Sequence, residues 1–282
     1  LIRYLTYKGY NVNYLQNATD INDSDDVIIQ AQKAGRSWEE EAEYWINSFH
    51  KQMDTLNVLR PTKYVLATSV IDKIISINTE LIEKDFAYIS GGNVYFEISK
   101  FKDYGKLSRF THEQMMFLAK ERGNDLEDKN KREALDFVLW FGDSKTPNWD
   151  SPWGKGRPGW HIECSSMIFE YLGSQIDIHG GGRDLIYPHH DSEIAQSESF
   201  TSKKFVNTWM HTGMVLYEGE KMSKSLGNLV LVEDLLKKYS PNTIRWLILS
   251  HHYRSPWEFE EFELNEVAEK VKIKRETMIK EK

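Results

Sequence analysis

The densest chemistry in the sequence lies between positions 161 and 211. Five of the nine histidines (His161, His179, His189, His190 and His211) fall there, together with the only cysteine, Cys164. His189 and Glu193 are four apart, which on a helix places both on one face, where an imidazole nitrogen and a carboxylate oxygen can chelate one ion. Trp160 and Cys164 share a face by the same spacing. A thiolate, an imidazole and a carboxylate together suit zinc better than magnesium or calcium. Cys164, His189 and Glu193 are one ligand short of a structural zinc site, so the fourth position is either open or filled from elsewhere. A Cys–His pair is also the raw material of a nucleophilic dyad, but no nucleophile signature surrounds Cys164. Without a metal the same residues reduce to a small buried hydrophobe and solvated, helix-capping histidines. Spacing alone leaves these readings open.

Two further stretches carry chemistry. Lys221-Met222-Ser223-Lys224-Ser225-Leu226-Gly227-Asn228 sets two cations three apart among hydroxyls and glycine, a composition able to wrap a polyphosphate and act on charge developing in a transition state. Its plain alternative is a basic turn. His179-Gly180-Gly181-Gly182-Arg183-Asp184 sets bare backbone after a strand, where a flat or charged ligand can approach and Asp184 can accept from a hydroxyl pair. A tight turn is the plain reading of a glycine triplet.

The elements that must position these residues follow from pattern. Leu1–Gly9 reads as the end of a helix closed by glycine, and 10–15 alternate like a strand followed by the polar turn Asn17-Ala18-Thr19-Asp20. Ser37-x-x-Glu40 is a capping box that opens a helix to about Leu56. Val70, Ile71, Ile74, Ile75, Leu81 and Ile82 recur at helical spacing, and residues 86–98 read as a β-hairpin about Gly91-Gly92. Residues 99–134 are polar and charged. An ordered loop rich in Pro, Trp and Gly spans 147–159. A helix over 160–172, a strand over 175–178, a glycine turn at 180–182 and a helix opened by Pro188 complete the histidine region. Phe205-Val206 and 214–217 look like strands, Ser240-Pro241 starts a helix through Leu249, and 267–282 is a charged helical run. The fold class expected is α/β. A Rossmann-like parallel-sheet catalytic domain carries an α+β insertion and is followed by a helical segment. Its parts are residues 1–59, the insertion at 60–142, the second catalytic part at 143–217, and the lysine loop with the start of a helical stem at 218–282.

Composition narrows the function class. The 282 residues are 40% hydrophobic and 13% aromatic, enough for a buried core and against disorder. No run of 18 apolar residues is present. A net charge of -7 gives no general coat for nucleic acid, though a local basic groove is compatible with it. One cysteine excludes an intrachain disulfide and an all-cysteine zinc knuckle. The opening at Leu1 in mid-helix, and an end without a stop signal, read as a fragment.

Taken together, several motifs in order resemble a known family. Lys221-Met222-Ser223-Lys224-Ser225 resembles the second signature of the class I aminoacyl-tRNA synthetases. The segments 159–165, 177–182, 187–198 and 209–215 are similar to blocks of the cysteinyl branch of that class. The resemblance implies a ligase that forms cysteinyl-adenylate from L-cysteine and ATP with Mg2+, then charges tRNA(Cys), as a cytoplasmic monomer. It implies zinc on Cys164, His189 and Glu193. It gives Thr19 and Trp160 to the amino-acid pocket, Gly181 and Asp184 to the adenosine part of ATP, and Lys224, helped by Lys221, to the phosphates. Members of the family begin some tens of residues earlier, with a further zinc-binding cysteine and a His-Ile-Gly-His signature, and continue into helical and anticodon-reading parts. The fragment is therefore expected to be inactive alone. Asp191-Ser192 stands where Glu-Asn is usual, and Asn22 where Asp is usual. A cysteine ligase of the mycothiol pathway, transferring cysteine to an amino sugar, shares the resemblance. From other classes, a zinc hydrolase around His189 and Glu193, or a metal-stabilised binding module, are the alternatives.

Overall fold

The computed structural model describes residues 1–21, 26–143, 147–222 and 226–280. In chain order the elements are α1 (Ile2–Tyr7), β1 (Leu15–Ala18), α2 (Asp26–Ala34), α3 (Trp38–Thr55), β2 (Lys63–Leu66), α4 (Ile71–Glu83), β3 (Ala87–Ser90), β4 (Asn93–Phe96), α5 (His112–Glu121), β5 (Phe137–Gly142), β6 (Gly156–Pro158), α6 (Trp160–Tyr171), β7 (Ile176–Gly182), α7 (Asp191–Thr201), β8 (Val206–Thr212), β9 (Val215–Tyr217), β10 (Glu220–Lys221), α8 (Val232–Lys238), α9 (Pro241–Ser250), β11 (Trp257–Glu258) and α10 (Glu261–Lys280). They form two compact units. The first comprises Leu1–Tyr44, Pro61–His179 and Leu185–Trp209, and the second Trp45–Arg60, Gly180–Asp184 and Met210–Lys282. Among the described residues no helix is long and apolar enough to cross a membrane.

In the first unit, β1 and β2 pair in parallel, Leu15 opposite Lys63 and Ala18 opposite Leu66. β2 lies within the stretch that the sequence reads as an insertion. The expected strand over 10–15 begins instead at Leu15 and runs through Asn17 and Ala18, so the polar turn starts only at Thr19. Asp20, buried just beyond it, accepts from the Thr68 backbone N–H at 3.1 Å and from the Thr68 hydroxyl, which ties the end of β1 to the turn after β2. The hairpin of β3 and β4 matches the sequence. Its two-residue turn, Gly91-Gly92, has both φ angles positive, 57° and 85°, as a type I′ turn requires. β5 and β6 extend this hairpin into an antiparallel sheet ordered β3-β4-β5-β6.

α4 is the centre of the core. Ile71, Ile74, Ile77 and Leu81 recur every three or four residues and are buried together with Val65, Val94, Phe96, Leu139, Ile162 and Met167. Each such side chain contributes about 1.5–3 kcal/mol by leaving water. Asn78, on the same buried face, donates its side-chain N–H to the Leu139 carbonyl at 3.3 Å and so bridges α4 to β5. α6 and α7 pack on each other and on α4. α5 was not anticipated, although it opens with a complete capping box between Thr111 and Gln114.

The glycine triplet differs from expectation. Gly180 to Gly182 continue β7 instead of turning. β7 and β8 run in the same direction: Ile176 N–H donates to the Phe205 carbonyl at 3.0 Å, and the Thr212 hydroxyl meets the Gly181 carbonyl at 3.5 Å. Pro188 also departs from a simple helix start. The Tyr187–Pro188 bond is cis, and α7 begins at Asp191. In the second unit β9 pairs with β10 and β11, and Leu247, Leu264 and Val267 form a small core between α9 and α10. Ser240 caps α9 by accepting from Thr243 N–H at 3.2 Å, with Pro241 in the first turn as expected.

Candidate active site

The metal-type residues of the first unit converge. α6 starts at Trp160, immediately after Gly159, and carries Cys164 one turn later. The chain between β7 and α7 brings His189 against that helix. The Trp160 indole stacks on the His189 ring with centroids 4.4 Å apart and planes inclined by 25°. Cys164 Sγ, a ring nitrogen of His189 and a carboxylate oxygen of Glu193 all lie within 4.8 Å of one another.

Glu193 is the centre of the arrangement. Its side chain has no exposed surface, and its Oε2 makes no hydrogen bond, although the Nε2 atoms of His179, His189 and His190 lie 3.2, 3.7 and 3.8 Å away. Two ligand atoms on one tetrahedral zinc, each about 2.1 Å from the metal, stand about 3.4 Å apart. Oε2 and the His189 Nε2 are therefore too far apart for a hydrogen bond and close to the spacing of two ligands on one ion. A buried carboxylate oxygen without a donor is costly, and a cation answers that cost. The residues present fit zinc.

The surrounding electrostatics agree. Burial pushes the His161 imidazole down to about 3, and burial with the neighbouring imidazoles of His161, His190 and His179 pushes His189 well below its ordinary value. Both rings are thus neutral, the form that binds metals. Their Nδ1 atoms are 2.9 Å apart, so one donates to the other. If Nε2 of His189 is its ligand atom, its Nδ1 carries the proton and His161 accepts. Gln196 fixes this region by donating to the His161 carbonyl and to the Ser165 hydroxyl, both at 2.7 Å. Burial, then the Glu193 and Glu163 carboxylates, push the Cys164 thiol up. A cation beside it reverses that preference, because a coordinated thiol loses its proton.

Asn17 is a contact that sequence reasoning missed. From β1 its side-chain N–H reaches Cys164 Sγ at 3.5 Å, across 147 residues of sequence. Thr19 lies one residue past β1 in the same segment and is half-buried. The only signal for Asn17 was its place two residues before Thr19.

The nucleotide-type residues form a second group, within the second unit. Asp184 and Lys221 make an ion pair with Nζ 2.6 Å from Oδ2. The Lys221 side chain is 47% exposed, so the pair adds little stability, at most about 1 kcal/mol. Gly181 lies in β7, next to Gly182, where an added Cβ would come within 2.4 Å of Asp184 Oδ1. Lys224, with Ser223 and Ser225, lies outside the described residues.

Residues 1–269 match the family described as tRNA synthetases class I (C) catalytic domain. The chain belongs to this family. The synthetase domain is 50% identical over 260 residues to a cysteine–tRNA ligase of Pelotomaculum thermopropionicum, a match that covers 92% of this chain and 52% of that protein. It is 48% identical over 271 residues to a cysteine–tRNA ligase of Syntrophobacter fumaroxidans, covering 96% and 54%. It therefore spans about half the length of the curated relatives it matches. Among solved structures, a Mycobacterium tuberculosis methionyl-tRNA synthetase in complex with methionyl-adenylate superimposes with a TM-score of 0.68 at 15% identity, covering 94% of this chain and 62% of that one. That likeness gives the synthetase domain the Rossmann-like α/β fold of its class.

Proposed function

We propose that the chain is the catalytic part of a ligase that activates L-cysteine with ATP and Mg2+ and transfers it to tRNA(Cys), using zinc to select the thiolate. The observation that carries this reading is the convergence of Cys164, His189 and Glu193 about a buried carboxylate oxygen that has no hydrogen bond. These three residues hold the metal. When bound there, zinc supplies a soft Lewis acid that keeps the substrate sulfur as thiolate and separates cysteine from serine by softness, where a pocket built on size would discriminate poorly.

The chain's own residues do the rest by position. Trp160, flat against His189, walls the amino-acid pocket, and Thr19 borders it from the end of β1. The substrate carboxylate attacks the ATP α-phosphate, a P–O bond forms to cysteinyl-adenylate, and pyrophosphate leaves. No protein nucleophile is needed, because the step is one of orientation and charge stabilisation. Gly181 leaves room for adenosine, Asp184 binds its hydroxyls, and Lys221 and Lys224 hold the phosphates. The terminal tRNA hydroxyl then displaces AMP. The tRNA acceptor is favoured over an amino sugar because the relatives at about half identity are cysteine–tRNA ligases.

The test is Cys164→Ser in the full-length protein, with zinc content and cysteine-dependent ATP–pyrophosphate exchange measured on the same sample. Both are expected to fall together. Normal zinc content in the variant refutes the ligand assignment.

A further inference from the structure

Two trios of metal-type groups share one carboxylate. Cys164, His189 and Glu193 form one, and His179, His190 and Glu193 form the other, each with ligand atoms within 4.8 Å. Glu193 has two oxygens, and the structure divides them. Nε2 of His179 stands 3.2 Å from both oxygens, but only with Oε1 does it make a hydrogen bond, and Oε2 makes none. A carboxylate only accepts, so His179 carries its proton on Nε2 and donates it. An imidazole nitrogen that holds a proton is not a metal ligand.

Other residues fix that donor in place. His179 lies in β7, and its ring stacks on the Trp209 indole of β8 with centroids 4.8 Å apart and planes inclined by 21°. His190 packs on Trp209 at the same centroid distance, inclined by 36°. An edge contact with Phe205 closes a further side of the His179 ring. The ring therefore has little freedom to turn its Nε2 away from Glu193.

Resting on the proposed zinc reading, we infer that His179 is a positioning residue of the metal centre. It pins Oε1 of Glu193, aims Oε2 at the ion shared with Cys164 and His189, and is itself held by Trp209. The second trio is the outer support of the first, not a site of its own. Outer-shell donors of this kind orient a carboxylate before the metal arrives and raise affinity by on the order of 10–100-fold.

The test compares His179→Phe with His179→Gln in the full-length protein. Phenylalanine keeps a ring against Trp209 and removes the donor, while the glutamine amide places an N–H near the position of Nε2. Zinc affinity is read by competition with a chromophoric chelator, and the site's geometry by the visible absorption of the cobalt(II)-substituted protein. His179→Phe is expected to bind zinc on the order of 10–100-fold more weakly, with an altered cobalt spectrum and native circular dichroism. His179→Gln is expected to recover most of both. Wild-type affinity and spectrum in His179→Phe overturn the inference. So does zinc retained at one equivalent by Cys164→Ser but lost from His179→Phe, because the ion would then belong to the second trio. A wild-type protein that binds no zinc fails the proposed function itself, a result distinct from either.

Discussion

Gly159 joins the antiparallel sheet to the helix that carries Trp160 and Cys164, and one methyl group there should disturb both stability and site. Its φ and ψ, -75° and 153°, are ordinary extended values that alanine adopts freely, so the cost of Gly159→Ala is purely one of space. An added Cβ would lie 2.0 Å from the Val138 carbonyl oxygen and 2.8 Å from its carbon, where ordinary contact begins near 3.4 Å. The obstacle is the backbone of β5, so no side chain can swing aside. The strand and the helix start must part by about an ångström, which strains the Gly159 N–H bond to the Leu139 carbonyl, 3.0 Å in the native chain. Overpacking costs about 1–3 kcal/mol and a weakened buried hydrogen bond about 1 more, so the variant should lose roughly 2–4 kcal/mol. Gly173→Ala is the control. Its Cβ meets nothing within 4 Å, but its φ is +95°, so it pays only the backbone cost, about 1–2 kcal/mol, at the far end of α6. Urea unfolding gives the two losses from the shift in midpoint at constant slope. Zinc titration then separates them, because only Gly159→Ala displaces the start of α6 and with it Trp160 and Cys164. Equal stability of Gly159→Ala and wild type refutes the packing argument, and an equal effect of both variants on zinc affinity refutes the link from that packing to the site.

Three other outcomes are expected. In the full-length protein, Lys221→Ala should slow ATP–pyrophosphate exchange while leaving zinc content unchanged, and a rate equal to wild type would remove Lys221 from the proposed phosphate site. Its partner Asp184→Asn should raise the KM for ATP with little change in the urea midpoint, since the exposed ion pair contributes at most about 1 kcal/mol. The metal-free chain should lose stability as pH falls. His161 is held near 3 in the folded state against about 6.5 unfolded, so the unfolded chain takes up the proton first, and its share of stability is complete above 6.5 and lost between there and about 3. Between pH 7 and pH 5 that amounts to about 2 kcal/mol, and His161→Phe should reduce the slope of this part of the pH profile, leaving the share of His189.

Legibility from sequence varied with the range of the physics involved. Local signals read correctly: the Ser37–Glu40 box opens α3 as written, with Ser37 N–H on the Glu40 carboxylate at 2.8 Å, and Gly91-Gly92 makes the expected hairpin turn. Periodicity found α4, because a stripe of isoleucines has one way to be buried. The convergence of Cys164, His189 and Glu193 was legible because a long motif surrounds each, although His189 lies just before α7 and not on the helix that the spacing implies. Where the cause is a distant atom, pattern failed. The glycines of β7 read as a turn, yet Gly182 is there for space beside Asp184 and not for a left-handed backbone. The start of β1 was misplaced because the pairing with β2 that sets it lies 48 residues on. The contact of Asn17 with Cys164 and the stacking of Trp209 on His179 are products of folding, made by residues 147 and 30 positions apart. α5 is hidden for a different reason: its apolar residues form one contiguous run, Met115 to Ala119, without helical periodicity, inside a charged stretch.

The burial of Glu193 bears on how long the folded chain survives. A carboxylate with no exposed surface, ringed by imidazoles and a thiol, makes folding more costly when no cation is bound. On the zinc reading, metal at 100 times its dissociation constant repays about 2.7 kcal/mol of that cost, because only the folded chain assembles the ligands. Cellular proteases act on the open form, so a shift of that size changes its population by about a hundredfold. The available zinc would then set how long each copy survives, and a chain deprived of the metal would be lost by degradation.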